Sequence, residues 1–224
     1  MCIFAVKLMH ITMKKNLLMI TAISVSVALA SCGGGEVKEE VSIETETEVA
    51  AIESANWMVD TENSNIRWTG GTAGAMVYSH FGDIKIKSGK LSTEGGNITA
   101  GNFIVDMTTI DPKDEGYSEE NPAAKLVGHL ATADFFNVEE YPESSFEITS
   151  VEGNTIKGNL SIRGNVNEET INIESIDMKD GMMTANGKLV FDRQKYDVAW
   201  EHFLEDTVLS DDITLEITLV AKGA

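Results

Sequence analysis

From Trp57 onward, apolar and polar residues alternate with a period of two. Phe146 and Ile148 alternate with Ser145, Glu147 and Thr149, and Ile156, Leu160 and Ile162 alternate with Lys157, Asn159, Ser161 and Arg163. The same rhythm runs through Ile171 and Ile173, through Met183, Ala185, Leu189 and Phe191, and through Ile213, Leu215, Ile217 and Leu219. Successive side chains of a strand point to opposite faces, so each run predicts a strand with one dry and one wet face. Ser64–Thr69, Ala75–Phe81, Asp83–Leu91 and Asn97–Ile110 are further candidates. Turn-forming clusters separate the runs, at Glu94-Gly95-Gly96, Glu152-Gly153-Asn154, Arg163-Gly164-Asn165 and Lys179-Asp180-Gly181. Short strands joined by hairpin-length turns predict an all-β domain, an antiparallel barrel of about eight strands or a sandwich. One segment breaks the rhythm. Ala123, Leu126, Val127 and Leu130 recur at helical spacing, with Asn121 as the expected N-cap and Pro122 in the first turn.

The N-terminal region reads differently. Lys14 and Lys15 precede an uncharged, mostly apolar run from Leu17 to Ala30 that ends in Leu29-Ala30-Ser31-Cys32. A membrane-spanning helix needs about 20 apolar residues, so the shorter run predicts a signal peptide over residues 1–31. Its end resembles a lipoprotein lipobox, with Cys32 as the acylated residue. Met13 is read as the true start, because Met1–Thr12 precedes an already complete signal. Residues 32–56 hold seven Glu, one Lys and no aromatic residue, which predicts a disordered acidic tether. The domain is then expected over residues 57–224, in a protein attached to the membrane through Cys32 and placed in the cell envelope, periplasmic or surface-facing.

Charge and cysteine content narrow the function. The 224 residues carry 36 acidic against 17 basic side chains, a formal charge of -19. Nucleic-acid binding depends on Lys and Arg displacing counterions, so that partner class is excluded, as is docking on anionic lipid through a basic patch. Cys2 lies upstream of the signal, which leaves Cys32 as the one cysteine after processing and no disulfide to staple the fold. No nucleophile elbow, P-loop or dinucleotide-binding glycine pattern occurs. Acidic groups such as Asp111/Asp114/Glu115 and Asp211/Asp212 sit where solvated turns are expected, and no cofactor is implied. His80, His129 and His202 lack metal-site spacing, although a folded barrel could gather them into a metal-dependent enzyme. A barrel of about eight strands can instead enclose one small ligand, and lining by Phe, Ile, Leu and Met suits an alkyl or isoprenoid chain. The competing reading of the same residues is a filled barrel serving a structural or protein-interaction role.

Several stretches together resemble the YceI-like family of exported, lipocalin-like, polyisoprenoid-binding proteins. They are Trp57–Asp60 with Ser64–Trp68, Gly101–Ile110, His129-Leu130 followed by Asp134–Pro142 and Ser145-Phe146, Gly158–Gly164, and Phe191–Arg193. The sequence departs from the family at Tyr78–Gly82, where "KHLG" is usual, and at Lys125–Leu130, where "RDEHL" is usual. The resemblance implies a lipocalin-like barrel with a hydrophobic tunnel for a long-chain isoprenoid or lipid, and no catalysis. It implies ligand-binding positions at Trp68, Phe103, Val105, Met107, His129, Phe135, Phe136, Phe146 and Ile148. His129 is expected to hydrogen-bond a head group, and at most one of Phe135 and Phe136 to reach the cavity. Arg193 is expected to be structural. A homodimer is compatible with this reading.

Overall fold

In a computed structural model, which describes residues 54–74, 77–200 and 207–224, the alternating runs become antiparallel strands. In chain order they are β1 (Ser54–Val59), β2 (Asn65–Gly74), β3 (Ser79–Glu94), β4 (Asn97–Pro112), β5 (Glu143–Glu152), β6 (Thr155–Ile162), β7 (Asn165–Lys179), β8 (Met182–Asp192), β9 (Thr207–Leu209) and β10 (Asp212–Gly223). Helix α1 (Ala123–Ala131) lies between β4 and β5, and a 3₁₀ turn, Arg193–Tyr196, follows β8. The signal, Cys32, nearly all of the tether and His202 lie outside the described residues.

Each strand from β2 to β8 pairs with its sequence neighbour, and β10 pairs with β8. The sheet closes where β10 returns to β2, with Leu215 opposite Trp68 and Ile217 opposite Ile66. Among the described residues, closure pairs each of the eight staves on both sides, and only the three-residue β9, beside Thr72–Gly74 of β2, is paired on one side alone. The result is the expected eight-stranded antiparallel barrel with one short helix. One stave is split. β1 and β2 both run antiparallel to β3 and β10, β1 beside Lys90–Glu94 and Ala221–Gly223, and β2 beside Ser79–Ile84 and Thr214–Thr218. Buried Ser64 stitches the break: its hydroxyl donates to the Asp60 carbonyl at 2.8 Å and accepts from the Val220 amide at 2.9 Å.

The period-two residues fill the barrel. Ile156, Leu160 and Ile162 of β6 and Met183, Ala185, Leu189 and Phe191 of β8 are all buried. Two-residue turns with left-handed backbone, Arg163-Gly164 (φ 52° and 77°) and Asp180-Gly181 (φ 53° and 74°), match the twist of the strands that they join. A register shift in β7 between Ile173 and Ser175 lets Ile176 and Met178 also pack on the core, although they are out of step with Ile171 and Ile173.

Three expectations need correction. Ser54, Ala55 and Asn56, inside the segment read as tether, are part of β1 and extend it along Glu94, Thr93 and Ser92. The helix N-cap is Pro122 and makes no side-chain cap bond; the Asn121 side chain instead accepts from Lys125 at 3.0 Å. Val77 and Tyr78, within the expected strand Ala75–Phe81, lie outside the strands, and β3 starts at Ser79.

Candidate functional site

The barrel has one closed and one open end. At the closed end Trp57, Leu91, Met183 and Ala221 are buried, and the Trp57 indole donates to Thr93 Oγ1 at 3.0 Å. At the other end the turns between strands widen into α1 and the segments on either side of it, and into the stretch from β8 to β10. Between the ends is a cavity of about 290 Å³, with α1 contributing Leu126, His129 and Leu130 to its wall. That volume is near the lower end of the range of roughly 300–1,000 Å³ typical of small-molecule sites. The wall is built from the inward positions of the staves, such as Phe103, Val105 and Met107 of β4 and Phe146 and Ile148 of β5. Among the described residues, Arg193 is its only Lys, Arg, Asp or Glu.

All nine cavity positions implied by the family resemblance line this wall: Trp68, Phe103, Val105, Met107, His129, Phe135, Phe136, Phe146 and Ile148. Phe135 and Phe136 both reach it, against the expectation of at most one. They sit in a tight turn before Asn137 (φ 48°), where the strand alternation of faces does not apply. The His129 ring meets Phe135 and Trp200 edge-on, with centroids 4.8 and 4.9 Å away, and its nitrogens have no hydrogen-bond partner among the described residues. The Trp68 indole nitrogen is buried and also lacks a partner.

Two arginines hold the open end in shape. Arg163, in the turn between β6 and β7, donates to the carbonyls of Phe135 (2.9 Å), Ala133 (2.6 Å) and Asp197. Arg193 is 2% exposed and spends its guanidinium on the carbonyls of Ser210, Val198, Trp200 and Leu209 and on the Asp211 carboxylate. Its expected structural role follows from these bonds.

One polar cluster was not expected. His80, at the start of β3, lines the cavity, and its Nδ1 lies 2.8 Å from Asp114 Oδ2. Asp114 Oδ1 accepts from the Tyr117 hydroxyl at 2.8 Å and the Phe81 amide at 3.3 Å. The Asp114 side chain is 9% exposed, so it is not the solvated turn residue that its neighbours suggested. Burial pushes its carboxyl up, but the bonds from His80 and Tyr117 outweigh that and hold it below the usual carboxylate value. Burial, reinforced by the bond to Asp114, raises the Tyr117 phenol well above its ordinary value. No local motif marks the cluster, because His80 lies 34 positions before Asp114. Among the described residues, no group of three or more His, Cys, Asp or Glu is arranged to hold a metal ion.

The family model for the YceI-like domain matches residues 57–221. A UPF0312 protein of Staphylococcus aureus (strain bovine RF122 / ET3-1) is 34% identical over 97 residues, 39% of this chain and 56% of that protein. Its counterpart in strain N315 is 33% identical with the same coverage. The chain thus spans about half the length of these curated relatives. Among solved structures, Burkholderia cenocepacia BcnA shares the fold with a TM-score of 0.55 at 17% identity, covering 73% of this chain and 99% of that one. A polyisoprenoid binding domain from Saccharophagus degradans, implicated in plant cell wall breakdown, gives a TM-score of 0.49 at 10% identity, over 77% of this chain and all of that one.

Proposed function

The chain belongs to the YceI-like domain family, and on that premise we propose that it is a non-catalytic carrier holding a polyisoprenoid or similar long-chain amphiphile in the barrel cavity. The observation that carries this reading is the wall itself: about 290 Å³ of space lined almost wholly by apolar side chains. Each CH₂ moved from water into such a wall contributes about 0.8 kcal/mol, so about ten of them supply roughly 8 kcal/mol before association costs. That is enough for micromolar binding at best without a charged anchor. A solid interaction barrel would have no use for the space. The lipobox at Cys32 and the acidic stretch after it support a lipid-anchored protein of the cell envelope.

Native mass spectrometry of the full chain carrying Cys32→Ser tests the reading. Without the acylation site, any lipid found is bound and not attached. Protein purified from its own cells without detergent should carry a discrete added mass that leaves on organic extraction and matches a prenyl or acyl chain. A clean apo mass, with no uptake of added prenyl lipid, would refute the carrier role and favour the interaction protein. The same spectrum shows whether copies pair.

A further inference from the structure

We infer that His80 is the head-group anchor of the cavity and that the ligand's polar end is a neutral hydroxyl-bearing group, not a phosphate or diphosphate. The inference rests on the carrier reading and specifies its ligand class. An ionised carboxylate only accepts hydrogen bonds. Asp114 Oδ2 at 2.8 Å therefore assigns a proton to His80 Nδ1, with the Tyr117 hydroxyl oxygen a second, longer neighbour of that nitrogen at 3.3 Å. Asp114 is itself fixed by Tyr117 and the Phe81 amide, so the imidazole is held by a braced partner. The ring also stacks on Tyr117 (centroids 6.0 Å apart, planes 17° apart) and meets Tyr78 edge-on at 5.4 Å.

The opposite nitrogen, Nε2, has no partner among the described residues, although the ring belongs to the cavity wall. With Nδ1 protonated, Nε2 accepts a hydrogen bond in the neutral ring and donates one in the charged ring. A hydroxyl serves both states, because it donates and accepts. A phosphate fits poorly here. It would sit near the Asp114 carboxylate, and the single Lys or Arg in the described wall, Arg193, already directs its guanidinium to backbone carbonyls and Asp211. Anionic head groups are held by cations with donors to spare, as in bidentate arginine–phosphate pairs.

Three probes of matched chain test this on the full protein carrying Cys32→Ser: geranylgeraniol, geranylgeranyl diphosphate and the parent hydrocarbon without the hydroxyl. Binding is followed by the change in tryptophan fluorescence. The alcohol should bind about five- to tenfold tighter than the hydrocarbon, the worth of one net hydrogen bond, and tighter than the diphosphate. In His80→Phe, which keeps a ring and removes both nitrogens, the alcohol's advantage over the hydrocarbon should fall to near parity. A diphosphate that binds as well as the alcohol overturns the inference, as does an advantage that survives His80→Phe and disappears in His129→Phe. The comparison of probes on unsubstituted His80 decides the head-group class even if the variant fails to fold. In both of these adverse results a prenyl chain still binds and the carrier reading stands. Failure of all three probes to bind overturns both.

Discussion

Gly158 lies tight against Phe146 of the cavity wall, and a single methyl group there probes the packing. A Cβ on Gly158 would come within 2.4 Å of Phe146 Cζ, 2.6 Å of Phe146 Cε1 and 2.5 Å of the Glu147 carbonyl oxygen. Gly158 is not among the positive-φ glycines, so Gly158→Ala carries no left-handed backbone strain and its cost is steric. The ring of Phe146, 7% exposed, must swing off its seat, and the space open to it is the cavity. Overpacking of this kind costs about 1–3 kcal/mol. For a domain of this size that lowers Tm by roughly 3–10 °C in a thermal melt followed by circular dichroism. Removing the ring as well separates the two clashes. Phe146→Ala alone costs about 3 kcal/mol, but in the double variant only the carbonyl contact remains. The cycle should therefore show a favourable coupling of about 1 kcal/mol or more. The displaced ring also takes up ligand space, so prenyl uptake should fall in Gly158→Ala. A Tm within 1 °C of the parent protein, together with strict additivity in the cycle, would refute the packing argument.

Arg193→Met removes the donor shared by Ser210, Val198, Trp200, Leu209 and Asp211. Buried carbonyls left without partners cost about 1–3 kcal/mol each, so a loss of at least about 3 kcal/mol is expected, only partly recovered by Arg193→Lys; a denaturant midpoint equal to the parent's would contradict the clamp. Asp60 is held at about 2 by its hydrogen bonds from Lys222 and Asn63. A depressed carboxyl contributes stability above its ordinary range and loses it as pH falls through the folded value. Asp60→Asn should therefore flatten the decline of the urea midpoint between about pH 4 and pH 2, and identical slopes for the two proteins would count against the Asp60–Lys222 pair.

The staves were readable because each carries its pattern locally. Met183, Ala185, Leu189 and Phe191 announce the inward face of β8 with no reference to the rest of the chain. The helix was readable for the same reason, at a different period. Closure was not, since Leu215 meets Trp68 only through a register set by the whole sheet. The break at Asp60–Ser64 was also hidden, because Ser64 looks like any polar residue before a strand until Val220 is beside it. The cavity wall was reached through family resemblance and not through alternation, which cannot distinguish a filled interior from a hollow one. Phe135 and Phe136 were misjudged by applying a strand rule to a turn. Asp114 was misjudged because its neighbours Asp111 and Glu115 are exposed polar residues, and its partner, His80 of β3, is distant in sequence.

The split stave also determines how the molecule responds to force. The chain that leads back towards Cys32 joins at Ser54, at the end of the barrel remote from His80 and α1. Tension along that chain falls first on β1, a six-residue strand held between the last residues of β3 and β10. Because the turn at Asp60–Ser64 separates β1 from β2, β1 can shear away while the β2–β10 seam stays zipped. The piece that leaves takes Trp57 with it, and Trp57 is part of the barrel's floor. In an optical-trap pull from the N-terminal side, this should register as a small first rupture before the main one. The stave nearest the N-terminal chain thus acts as a mechanical fuse, yielding at the floor and sparing the hoop of strands around the cavity.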